Sequence, residues 1–234
     1  MSNKLNKVFL IAAIAAPCLI ALILVLFRDR MEPVVFFKMK PAVAVSVAPS
    51  VKPAENQPAS AFTPFIVYQD KSSKNHFTPS GYMPTGECIS LDDAWQYDVH
   101  EGKTSVRIVY DVSCSKGGRK WAGVYWQNPP DNWGDRKGGY DLTGATRLSF
   151  WARGEMGGER IEEFRVGGLG STAMYPDSDA AFIGPVLLTS AWKQYVIDLR
   201  GKDLSSISGG FAWVANVDAN LHHCTFYLDD IRFE

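Results

Sequence analysis

The chain lacks the short signatures on which most nucleotide and acyl chemistry rests. No Ser, His and Asp stand in a triad order, and no strand–turn–helix pattern carries a nucleophile elbow. The run Gly167-Gly168-Leu169-Gly170 has no strand-to-helix setting in which to cradle a phosphate. Net charge is nearly absent too, since 24 Lys and Arg stand against 25 Asp and Glu. That removes the electrostatic reason to expect a nucleic acid or an anionic membrane surface as partner. Cysteine is scarce. With Cys18 inside an apolar run, Cys88, Cys114 and Cys224 form an odd set, so an oxidising compartment would leave one pair and one thiol. Cys114 with Cys224 and Cys88 with Cys114 are both open at this level, as are three buried thiols. There is no internal repeat.

What the chain does have begins at its amino end. Met1 to Lys7 is polar and basic, and Val8 to Phe27 is an uncharged apolar run of 20 residues. That length spans a bilayer core as a helix, whereas a secretory signal has a shorter apolar region. Pro17 is tolerable in a membrane helix. The rival reading is a cleaved signal, with Ala-rich sites near Ala13 to Ala16 and Ala44 to Ala48. A lipoprotein site at Cys18 is disfavoured by Pro17 before it and the apolar residues after it. Residues 1–30 are therefore expected to anchor the chain, and 31–64 to form a linker. Pro33, Pro41, Pro49, Pro53, Pro58 and Pro64 favour extended, polyproline-like backbone there, at about 3.1 Å per residue. Counting Arg28, Arg30, Lys38 and Lys40 against Lys4 and Lys7 would place the remainder of the chain in the cytoplasm. A stalk suits the outer side of the cytoplasmic membrane, periplasmic or extracellular, and that side is the expectation.

From Phe65 to Glu234 the pattern is that of one all-β domain, large enough to bury a core unaided. Ser105–Val112 alternates with Val106, Ile108, Tyr110 and Val112 on one face. Arg147–Arg153 sets Leu148, Phe150 and Ala152 against Arg147, Ser149, Trp151 and Arg153. Lys193–Leu199 puts Tyr195, Ile197 and Leu199 together. Gly/Pro/Asn punctuation between short strands predicts a sandwich of two antiparallel sheets. Glu159–Arg165, the one helix-like window, lies between glycine pairs and reads as strand.

The closing strand Thr225–Phe233 holds two acids in an aromatic run. Strict alternation puts Tyr227, Asp229, Ile231 and Phe233 on one face, where a lone carboxylate needs a cation or several donors. Calcium takes such oxygen ligands. A nearby Arg or backbone donors would serve as well. His222-His223-Cys224 is no zinc site, because adjacent strand residues point to opposite faces.

Several segments together resemble a group of bacterial exported proteins with a galactose-binding-domain-like jelly roll, similar in layout to non-catalytic carbohydrate-binding modules. They are Phe65–Asp70, Asn75–Gly81, Trp121–Pro129, Asn132–Gly134, Gly139–Thr146, Phe150–Glu155 and the closing strand. The resemblance implies a jelly-roll β-sandwich and a structural Ca2+ site joining the first strand to the last, with Asp70 and Asp229 at the matching positions. It also implies a polysaccharide or other glycan as partner. Sugar binding asks for exposed flat rings flanked by planar hydrogen-bonding groups. The stretch Trp126–Asp141 supplies Trp126, Trp133 and Tyr140 among Asn132 and Arg136, and Tyr175 lies on a second loop. Trp121, Trp151, Trp192 and Trp213 are expected to be structural, and Trp133 capping the sandwich is the plain alternative. A glycan hydrolase would need two facing carboxylates, and none of Glu155, Glu159, Glu162 and Glu163 stands out as a pair. A protein-interaction domain of the envelope is the other alternative.

Overall fold

The computed structural model describes residues 62–114, 120–170, 172–221 and 224–234. The expected membrane segment 8–27, nearly all of the Pro-rich stretch, and His222 and His223 lie outside these residues. Among the described residues no helix is long and apolar enough to cross a membrane. Helical structure among them is limited to a 3-10 turn at Gly86–Cys88.

Thirteen strands follow in chain order: β1 Phe65–Tyr68, β2 Thr78–Met83, β3 Ile89–Trp95, β4 Ser105–Tyr110, β5 Trp121–Gln127, β6 Arg147–Gly154, β7 Arg160–Ile161, β8 Glu163–Gly167, β9 Ala180–Ile183, β10 Val186–Leu187, β11 Lys193–Asp198, β12 Gly209–Asn216 and β13 Cys224–Phe233. One sheet runs β11-β6-β13-β4-β3 with β1 also on β13. A second runs β2-β5-β12-β8-β9, and β7 with β10 forms a short ribbon. Glu159–Arg165 holds β7 and the start of β8, with a bend at Glu162, and no helix.

The two sheets meet through rings. Phe150 of the first sheet packs at 4.7 Å on Phe164 and 5.0 Å on Phe211 of the second, and Trp213 meets Phe226 edge-on at 5.1 Å. Val106, Ile108, Tyr110, Leu148, Phe150, Ala152, Tyr195, Ile197 and Leu199 all point into this core, on the faces their alternation predicts.

The closing strand departs from its expected face. Cys224, Phe226 and Leu228 face the core, and after them Ile231 and Phe233 do. Between Asp229 and Arg232 the register against β6 slips by one residue, and Asp230 takes φ +49°. This bulge changes the parity of the strand. Tyr227 and Asp229 therefore lie on the outer face, opposite to the expectation that they share a side with Ile231 and Phe233.

Cys88 and Cys114 form a disulfide with Cα atoms 5.6 Å apart. Cys224 is a buried free thiol that burial pushes up to about 12. It lies opposite Tyr110, not Cys114, which is why the pairing across β4 and β13 does not form.

Candidate functional site

The segment after β5 is organised by Asn132. This buried side chain donates to the Arg136 carbonyl (3.0 Å) and accepts from the Gly134 amide (3.0 Å). Gly134, at φ +89°, fits against Gly170, Ala173 and Tyr175: a Cβ there would stand 2.9 Å from that of Ala173. The Tyr175 amide donates to the Gly134 carbonyl at 2.9 Å. These contacts leave Trp133 41% and Tyr175 39% exposed.

The six residues expected to bind ligand thus separate. Trp133 and Tyr175 reach the surface on two loops that pack together, and Arg136 is exposed, donating to the Pro130 carbonyl. Asn132 is a fully buried turn organiser, not a contact residue. Trp126 is also wrong as a contact: it is fully buried against Phe211 (5.5 Å), because inward parity on β5 sends it to the core. Tyr140 belongs elsewhere, in a ring cluster with Phe65, His76 and Phe77, its hydroxyl accepting from Asn128 Nδ2 at 3.1 Å.

Trp133 stands over the outer face of the five-stranded sheet, its ring edge-on to Tyr125 at 6.2 Å. From Tyr125, Cα partners run straight across the strands: Ala212, Arg165, Phe182. The next row on this face holds Gly123, Val214 and Glu163. Tyr125 donates to the Gly167 carbonyl at 3.1 Å, and burial pushes its phenol up to about 12. Arg165 pairs with Glu163 through two hydrogen bonds and lies over the ring of Phe182, 5.7 Å from its centroid. Phe182 is 60% exposed. Asp177, its carboxyl pushed up by burial, accepts from the Leu169 amide at 3.0 Å and from the Ser208 amide, tying Leu169 to the start of β12. Sequence reasoning missed Tyr125, Arg165 and Phe182. Alternation in β8 and β9 carried the signal for the last two.

The outer face of the six-stranded sheet carries further rings: Trp151, expected to be structural, is stacked under His100, and Trp192, likewise, donates to Asp98. Arg107 pairs with Tyr227, and Tyr227 with Arg153, in one row. Arg107 lies over Trp95 at 4.8 Å and Arg153 over Tyr227 at 5.4 Å.

The strap 96–104 crosses this sheet, and the two carboxylates expected to bind calcium hold it. Asp229 Oδ2 accepts from the amides of His100 (2.9 Å) and Glu101 (3.2 Å), and Oδ1 from that of Asp230 (2.8 Å). Asp70 Oδ1 accepts from Lys103 (2.7 Å) and Thr104 (2.8 Å). Burial pushes the Asp229 carboxyl up to about 7, against the pull of its three amides. A hard cation takes oxygen ligands, whereas amide hydrogens point at three of these four oxygens. Among the described residues no three His, Cys, Asp or Glu side chains converge to hold a metal. The donor set does not fit calcium; backbone amides are the partners that Asp229 needs.

No protein-family model and no curated protein matches the chain. Among solved structures it is similar to the family 30 carbohydrate-binding module of a cellulosomal cellulase of Clostridium thermocellum, at 16% identity over 74% of this chain and 97% of that one, with a TM-score of 0.46. It is similar to a family 11 carbohydrate-binding module from the same organism, solved with a β-1,3-1,4-mixed-linked tetrasaccharide, at 15% identity, 74% and 96% coverage and a TM-score of 0.46. A variant of a family 29 module matches at 9% identity, 74% and 91% coverage and a TM-score of 0.42. What this chain binds has to be read from its own side chains.

Proposed function

We propose that the domain is a non-catalytic carbohydrate-binding module whose ligand lies across the outer face of the five-stranded sheet, and that residues 8–27 and the Pro-rich segment hold it outside the cytoplasmic membrane. The observation that carries the binding reading is the pair of exposed rings, Trp133 and Phe182, set at the two ends of the row Tyr125, Ala212, Arg165 and Phe182. From Tyr125 to Phe182 the row crosses three gaps of ~4.8 Å, roughly 14 Å, which suits a chain rather than a single sugar. Leu169 and Met83 pack with Tyr125 and Ala212 beside Trp133, and towards Phe182 the planar Arg165–Glu163 pair offers donors and acceptors in one plane. Because the Arg165 charge is already met by Glu163, the face favours a neutral glycan over an acidic one. The carboxylates near this row are committed, Glu163 to Arg165 and Asp177 to backbone amides, so neither stands free as an acid or nucleophile. The Cys88–Cys114 disulfide supports an oxidising, extracytoplasmic setting.

The test is binding to a panel of neutral polysaccharides and their oligosaccharides, with Trp133→Ala beside the wild type. Loss of the stacking ring should weaken binding by about 1–3 kcal/mol with little change in melting temperature. Trp126→Ala should instead cost about 3–5 kcal/mol of stability, as a core ring does. Undiminished binding by both Trp133→Ala and Phe182→Ala would sink the site. Silence of the wild type towards every glycan would hand the face to a protein partner.

A further inference from the structure

The sandwich has two outer faces, and the proposed glycan site occupies one of them. On the other, Tyr97 is 88% exposed and meets half-buried Trp95 edge-on at 5.1 Å. Trp95 and Trp192 each stand 6.4 Å from Tyr227. His100 stacks on Trp151 at 3.8 Å and 18°. Rings therefore follow one another across β3, β13, β6 and the strap. A purely structural ladder would bury them, yet Tyr97 projects into solvent.

The charges on this face are already matched. Arg153 bonds Asp98, which also accepts from Trp192 Nε1 at 3.1 Å. Arg107 lies 3.7 Å from Glu155, whose Oε1 accepts from the Tyr227 hydroxyl at 3.1 Å. With each guanidinium offset by a carboxylate, the face offers no excess charge to a phosphate or a polyanion. What it does offer is flat carbon surface edged by planar hydrogen-bonding groups, the chemistry that recognises uncharged sugars.

We propose that the outer face of the six-stranded sheet is a second carbohydrate-binding surface, for a neutral polysaccharide chain, with Tyr97, Trp95 and Trp192 as its rings. The reading rests on the ligand class proposed for the first face, but on different residues. Since the two faces look in opposite directions, one domain joins two chains.

The experiment uses the full chain and four proteins: the wild type, Trp133→Ala/Phe182→Ala, Trp95→Ala/Tyr97→Ala and the combination. Each is assayed for retention on insoluble cellulose, xylan, mannan and starch, and for precipitation of soluble forms of the retained polymer. The wild type should be retained and should precipitate the soluble polymer. Each double variant loses one of the two sites, so it should take up about half as much soluble oligosaccharide at saturation and should no longer precipitate the polymer. The combination should not bind. Tyr97→Ala alone, at a solvent-exposed ring, guards against misfolding: it should lower retention with an unchanged melting temperature. Wild-type retention and precipitation by Trp95→Ala/Tyr97→Ala would overturn the second surface and leave the first standing. Loss of all binding in that variant, with none lost in Trp133→Ala/Phe182→Ala, would overturn the first and keep the second. A wild type that binds none of the four polymers would overturn both.

Discussion

Asp229 makes stability depend on pH with a sign opposite to that of a paired surface carboxylate. Its carboxyl is pushed from 3.8 up to about 7, chiefly by burial, so the folded protein holds this proton more tightly than the unfolded chain does. Below pH 3.8 the group is protonated in both states and nothing is lost. As pH rises from there to about 7, the unfolded chain has released its proton and the folded one has not, and the native state gives up stability throughout. Above about 7 the loss is complete and flat. The gap between 3.8 and about 7, at 1.36 kcal/mol per pH unit, amounts to about 4 kcal/mol. Asp229→Asn isolates it. The amide has one acceptor oxygen where three N–H groups converge, so the variant carries a fixed cost from an unpaired donor. That offset does not vary with pH. Unfolding in urea at about pH 4 to 8 should therefore show the wild type losing up to about 4 kcal/mol relative to Asp229→Asn across the window. A difference between the two proteins that stays constant over that range would refute the reasoning.

Other consequences follow from the same region and from the disulfide. Chelator is expected to leave the melting temperature unchanged, because amides already occupy Asp70 and Asp229; a fall on chelation, reversed by added calcium, would restore the cation that the family resemblance implies. Gly102→Ala should cost more than about 1 kcal/mol in denaturant unfolding, since Gly102 has φ +78° and a Cβ would sit 2.6 Å from Asp70 Oδ2; an unchanged midpoint would mean the strap yields freely. Replacing Cys88 and Cys114 by Ser opens a loop of sequence separation 26, which chain entropy values at about 3.5 kcal/mol, and a calorimetric loss far below that would show the unfolded chain to be restrained by other means.

The sandwich was legible because alternation is a local signal. In β4, β6 and β11 every core residue could be named from parity alone, and the structure places each where parity puts it. In the closing strand parity fails, at the Asp229–Asp230 bulge. A bulge inserts a residue without any required sequence mark, and Asp is among the few side chains that tolerate positive φ. The same local reading put Trp126 at the site, because it took an aromatic run before a loop as part of that loop. Asn132 was misread for a related reason: a buried side chain closing its own turn looks the same in sequence as an exposed one offered to a ligand. Tyr125, Arg165 and Phe182 come together only through β5-β12-β8-β9, an order in which sequence neighbours are not sheet neighbours. No spacing along the chain encodes that row.

The bulge also explains why the protein has an aromatic second face. Without it, Tyr227 and Asp229 would share the inward side of β13 with Ile231 and Phe233, and a carboxylate would be buried between the sheets. Shifting parity by one residue sends Tyr227 outwards to join Arg107, Arg153, Trp95 and Trp192. The same shift brings Asp229 beneath the strap, whose amides satisfy it. One irregularity therefore spares the core a buried charge, fixes the 96–104 strap and builds the ring-bearing outer surface. The cost falls on Asp229, which trades water for three amide donors, and that is why the pH profile of stability reports on the strap that carries Tyr97.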